Sequence, residues 1–150
     1  MVPVEDCLLA SEANNAARNS VRDWARDEAI PPYDRRGQVG VLRNLVVREG
    51  RRTGELQTRL VTSPAEFARP PVDLHTVIDG PGGGTDGPTG ALGAEHLHEE
   101  LCGLRFRISH NAFLQTNTEM AERVYGIAAE FAGPEGRERR FDLFCGIGTL

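Results

Sequence analysis

Lysine is missing from this 150-residue chain, so all 17 of its basic side chains are arginine. Cysteine is scarce, and the three thiols at positions 7, 102 and 145 are odd in number and far apart, which excludes a disulfide framework. Each is a free thiol or a ligand. No stretch approaches the roughly 18 consecutive apolar residues of a membrane span. The opening residues 1–7 lack a basic region followed by an apolar run, so no secretory leader is read there and a cytoplasmic location is expected by elimination. What remains is ordinary for a folded protein: 39% apolar and 26% charged residues exclude a disordered or fibrous chain.

The formal charge of -5 argues against a nucleic-acid partner until the distribution is read. Between Arg35 and Leu60 lie seven arginines (35, 36, 43, 48, 51, 52 and 59) against only Glu49 and Glu55. Arginine's planar fork suits phosphate and stacks on bases, so this stretch fits an RNA-facing surface. It fits a solvated hairpin equally well.

Periodicity divides the chain. Ala13, Ala17, Val21, Trp24, Ala25 and Glu28 stand at helical spacing, predicting a helix from Ser11 to Ile30 that stops at Pro31-Pro32. Val39, Val41, Leu45 and Val47 alternate, residues 49–54 are bracketed by glycine, and Leu56, Thr58, Leu60 and Thr62 alternate again, which predicts a β-hairpin. Val72 to Ile78 reads as a further strand. Gly80 to Gly90 holds six glycines and two prolines with no helix pattern behind it, so it is a surface loop rather than a phosphate cradle. Leu104, Phe106 and Ile108 alternate with Arg105 and Arg107, marking a strand with a basic face. Residues 116–119 fit a capping box ahead of a stripe of Met120, Val124, Ile127, Ala128 and Phe131. Cys102 and Cys145 read as buried small hydrophobes.

The last ten residues carry the sharpest signal. Phe141 to Cys145 form a short apolar strand that runs into Gly146-Ile147-Gly148-Thr149, a D-x-x-x-G-x-G pattern counted from Asp142. Glycines there let the backbone approach a ligand, and such a turn acts together with the N-terminus of a following helix. Neither that helix nor a second parallel strand is encoded, so the chain reads as a piece of a longer enzyme. The acid four residues before the first glycine favours S-adenosylmethionine over a dinucleotide.

Together with Phe106-Arg107-Ile108-Ser109-His110-Asn111-Ala112-Phe113-Leu114-Gln115-Thr116-Asn117, and with residues 121–125 between, the turn resembles the RNA uracil-5 methyltransferase family. Gly40-Val41-Leu42-Arg43, Arg48, Thr53-Gly54-Glu55-Leu56 and Asp6-Cys7-Leu8 extend the resemblance over nearly the whole chain. It implies that Gln115, Asp142, Phe144, Gly146, Gly148 and Thr149 serve S-adenosyl-L-methionine. It also implies that Phe113, Arg43 and Arg48 face RNA, with Phe113 near the target base. Cys7 matches the last cysteine of the iron-sulfur site in cluster-bearing members, implying a 4Fe-4S cluster in a full-length protein. The family's reaction, cysteine attack on carbon-6 of uracil followed by methylation of carbon-5 and loss of its proton to a base, uses residues beyond position 150, so no catalytic residue is assigned here. Two positions depart from the family pattern, His110 for a common proline and Thr149 for the asparagine of some members.

The expected architecture is an α+β central domain over 1–109 that faces RNA, followed over 110–150 by a linker helix and the truncated start of an α/β class I (Rossmann-like) methyltransferase domain. The partner is rRNA or tRNA, a monomer is expected, and no membrane is involved. Two other classes fit the same residues: a non-catalytic RNA-binding module, and a fragment of a nicotinamide-dependent oxidoreductase.

Overall fold

The computed structural model describes residues 4–81 and 83–133, together with positions 136, 139, 141, 143 and 146. Asp142, Phe144, Cys145, Gly148 and Thr149 lie outside the described residues, and with them most of the strand expected over 141–145. The chain divides into two compact units, Met1–Glu49 with Leu56–Glu95, and Gly50–Glu55 with His96–Leu150.

In the first unit, helix α1 (Glu12–Asp27) begins where Ser11 accepts a hydrogen bond from the Asn14 amide at 3.1 Å. It stops three residues short of the expected Ile30, and the prolines are not what stops it. Ala29 turns left-handed at φ 52°, the Ala29 amide donates to the Arg26 carbonyl and the Ile30 amide to that of Ala25, which together close a Schellman cap. The helix buries Val21, Ala25 and Asn15, whereas Ala13 stays exposed. Val21 joins Leu60 and Val72 in a core flanked by Trp24, Leu42, Leu45 and Leu92. Full burial of each aliphatic side chain stabilises by roughly 1.5–3 kcal/mol.

That core lies on a four-stranded sheet of order β1-β2-β3-β4, comprising β1 (Leu42–Glu49), β2 (Leu56–Thr62), β3 (Leu74–Val77) and β4 (Thr89–Ala91). The expected hairpin is present, with β1 and β2 antiparallel. Residues 63–73 then carry the chain back so that β3 runs parallel to β2, an arrangement that alternation alone did not predict. Asp73 fastens this return. Its carboxylate accepts from the Thr58 amide at 2.7 Å and the Thr58 hydroxyl at 2.8 Å, and its carbonyl accepts from Leu92.

The second unit contains the turn Gly50–Glu55, the antiparallel pair β5 (His96–Leu101) and β6 (Leu104–Ser109), and helix α2 (Thr118–Ala132). Glu99 is the hub of this unit at 1% exposure. It accepts hydrogen bonds from the amides of Arg51, Arg52 and Glu100 and from the Thr118 hydroxyl. Burial pushes its carboxyl up, but these donors outweigh that and hold it below the ordinary value. Asn117, not Thr116, caps α2 by accepting from the Met120 amide at 2.9 Å, and with Met120 as the third helical residue the expected capping box gives way to a simple N-cap. Cys102 also departs from expectation. It is exposed, at φ 50° in the two-residue β5-β6 turn, because that turn needs positive φ at both of its central residues.

Candidate functional site

Two cavities among the described residues are candidate sites. The first, in the second unit, has a volume of about 190 Å³ and lies where the loop after β6 enters α2. Gln115, Asn117 and Tyr125 give it polar groups, and Met120, Ala121 and Val124 its apolar wall. Local sequence explains the arrangement. The cap at Asn117 fixes the first turn, and the helical spacing of 117, 120, 121, 124 and 125 turns these side chains to one side. Of the six residues expected to serve the cofactor, the structure therefore places Gln115 on a cavity. Gly146 has φ 56°, a left-handed conformation that favours glycine. The other four lie outside the described residues.

Phe113 is 74% exposed in the loop before α2, an uncommon position for a phenylalanine that serves packing. The preceding turn is closed by the Ala112 amide donating to the Ser109 carbonyl at 3.0 Å. The basic face read at Arg105 and Arg107 carries more acid than expected. Arg105 pairs with Glu55 at 3.3 Å and sits across the ladder from Glu100, while Arg107 sits across from His98. Glu55 also accepts from the His98 amide at 2.8 Å and lies 3.1 Å from its Nδ1. The His98 amide, then the His98 ring and Arg105, hold the Glu55 carboxyl below its ordinary value.

The second cavity, of about 360 Å³, lies in the first unit. Arg43 lines it with its guanidinium 4.1 Å from the centre of the Tyr33 ring. Nε donates to the Ser63 hydroxyl at 2.9 Å and Nη2 to the Gly80 carbonyl at 2.6 Å. Arg48 does not share this cavity. It is half-buried on β1, where burial, and after it the neighbouring Arg59, lowers its proton affinity. The two arginines expected to face RNA thus stand in different surroundings.

Cys7 is held by Asn15, which accepts from its amide at 3.0 Å and donates to its carbonyl at 3.1 Å. An iron-sulfur cluster needs four thiolates. Among the described residues no group of three or more His, Cys, Asp or Glu side chains is placed to hold a metal, so Cys7 by itself does not make such a site. Among the same residues no helix is long and apolar enough to cross a membrane. Sequence reasoning missed Tyr33, Ser63, Asp79 and the Glu55-His98 pair. Only the isolated tyrosine after Pro31-Pro32 gave a signal for the first group.

No protein-family model matches the chain. Over its full length it is 32% identical to a protein of Bacteroides thetaiotaomicron, 33% to one of Caldanaerobacter subterraneus subsp. tengcongensis and 30% to one of Clostridium tetani, each named an uncharacterized RNA methyltransferase. The chain spans 37% of the length of each of these relatives. Its fold is similar to the tRNA (uracil-54, C5)-methyltransferase of Pyrococcus abyssi, solved with S-adenosyl-L-homocysteine. The TM-score is 0.72 at 23% identity, covering 87% of this chain and 35% of that one.

Proposed function

The chain is a relative, along its whole length, of proteins named RNA methyltransferases, and on that footing we propose that it is a segment of an enzyme that methylates carbon-5 of uridine in tRNA or rRNA. Similarity along the whole of this chain to proteins named RNA methyltransferases is the observation that carries the methyltransferase reading, and the carbon-5 uridine target rests on the motif resemblance. The structural likeness supports it, because the matched protein is a tRNA uracil methyltransferase with a product-like ligand.

Within that enzyme residues 1–109 face RNA, and 110–150 open a class I methyltransferase domain. S-adenosylmethionine, when bound, supplies an electrophilic methyl group on sulfonium. The described residues supply one wall for such a ligand, since amides at Gln115 and Asn117 stand beside the apolar Met120 and Val124, and the cavity of about 190 Å³ is smaller than the roughly 300–1,000 Å³ of a site that encloses a drug-sized ligand, so other residues supply the rest. Gln115 holds the ligand by hydrogen bonding, and Asp142, Phe144, Gly146, Gly148 and Thr149 complete its surroundings. Phe113, exposed, offers a ring on which a pyrimidine stacks. The attacking cysteine and the base that removes the carbon-5 proton come from outside these residues.

The test uses the polypeptide completed to the length of its relatives, incubated with methyl-labelled S-adenosylmethionine and unmodified RNA. Nucleoside analysis is expected to yield 5-methyluridine, with the 150-residue chain alone transferring nothing. Label on another nucleoside, or transfer by the short chain, would overturn the proposal. So would full transfer by the Gln115→Ala enzyme, for the role of that residue.

A further inference from the structure

Resting on the reading of an RNA substrate, we infer that the cavity around Tyr33 and Arg43 takes one unpaired ribonucleotide of that RNA and tells ribose from deoxyribose. Its chemistry is mixed in a way that fits a nucleoside better than a bare phosphate. Arg43 lies over the Tyr33 ring, pinned by the Ser63 hydroxyl and the Gly80 carbonyl, so the cavity wall offers a flat cation and an aromatic surface together. Such walls stack on bases. The exposed Gln38 and Asp79 line the same cavity. A carboxylate repels a phosphate but accepts a hydrogen bond from a ribose 2′-hydroxyl, the group that distinguishes RNA from DNA. Gln38 supplies an amide that reads donors and acceptors on a base edge.

The cavity is also built rather than incidental. Gly40 on its wall has φ 109°, and a Cβ there would lie 2.2 Å from the Pro32 carbonyl oxygen, so only glycine lets the segment before β1 lie this close. The volume of about 360 Å³ falls in the range of small-molecule sites. More positive charge stands beside it, since Arg35 lies against Gly83 in the loop that supplies Gly80.

The experiment measures binding of the chain to a short unpaired uridine-rich RNA and to the same sequence in DNA, by fluorescence anisotropy. A 4-thiouridine version of the RNA is photocrosslinked and the adduct mapped. The wild-type chain is expected to prefer RNA and to crosslink at the peptide containing Tyr33. Arg43→Ala is expected to weaken RNA binding at least about tenfold, as loss of one stacked base would. Asp79→Ala, at an exposed position, is expected to bring the ratio of RNA to DNA affinity down to about one. If the chain binds RNA but both variants match wild type, or the crosslink maps elsewhere, the cavity assignment falls and the RNA reading stands. If the wild-type chain binds no RNA, both fall. An Arg43→Ala protein that fails to fold by circular dichroism leaves the decision to Asp79→Ala and the crosslink.

Discussion

Cys102 occupies a backbone conformation that asparagine or glycine adopts at far lower cost. Replacing it with asparagine is expected to raise the melting temperature, since a left-handed L-residue costs roughly 1–2 kcal/mol and asparagine recovers part of that by local hydrogen bonding. Ala29→Gly relieves the same strain at the end of α1. The greater entropy of glycine in the unfolded chain offsets about 0.5–1 kcal/mol, so the net gain is expected to be under about 1 kcal/mol in a urea titration. Glu99→Gln works the other way. One amide nitrogen would face two of the four donors that now meet a carboxylate, and a loss of about 2 kcal/mol or more is expected. Acid should act in two stages. The ring of His75, 2.9 Å from the Thr62 hydroxyl, is held below the ordinary histidine value by burial, so the unfolded chain binds its proton first. Stability is therefore expected to fall as pH drops below roughly 6.5. Glu55 and Glu99 have lowered values and stabilise above the unfolded carboxylate range, so their contribution disappears as pH falls further. Melting curves from pH 7 to 3 check this, and His75→Gln should flatten the first stage alone.

Among the elements, α2 separates what is legible in sequence from what is not. Its periodicity and its cap within one residue were readable, and Asn117→Ala is expected to cost about 1 kcal/mol. The role of its stripe was not. Met120, Val124, Ile127 and Phe131 are all at least half exposed among the described residues, because spacing reports a shared face and says nothing of what covers it. Phe131→Glu is accordingly expected to move the stability of this chain by less than about 0.5 kcal/mol, whereas truncating buried Val21 to alanine should cost several times that. Strand β5 was missed since its inward positions are Leu97, Glu99 and Leu101, and a buried carboxylate breaks the apolar alternation. The parallel placement of β3 was equally hidden. It depends on Asp73 reaching Thr58, a contact fifteen residues apart that no local pattern encodes.

For the whole molecule, a net charge of -5 coexists with an arginine-rich stretch in β1 and its flanks. Binding to unpaired RNA should therefore weaken with added salt, by roughly 0.7 in the logarithm per phosphate engaged for each tenfold rise. The likeness to proteins named RNA methyltransferases was readable because its motifs are local in sequence, while the cavity around Tyr33 and Arg43 required distant segments to meet.

One consequence of the Arg43 arrangement remains. Its guanidinium is already immobilised by a hydroxyl, a carbonyl and a ring, so much of the rotamer freedom a surface arginine would surrender on meeting a partner, up to about 2 kcal/mol, is spent during folding instead. Recognition at this point is preorganised, and lysine, with the same charge but a floppy stem, would be a poor substitute.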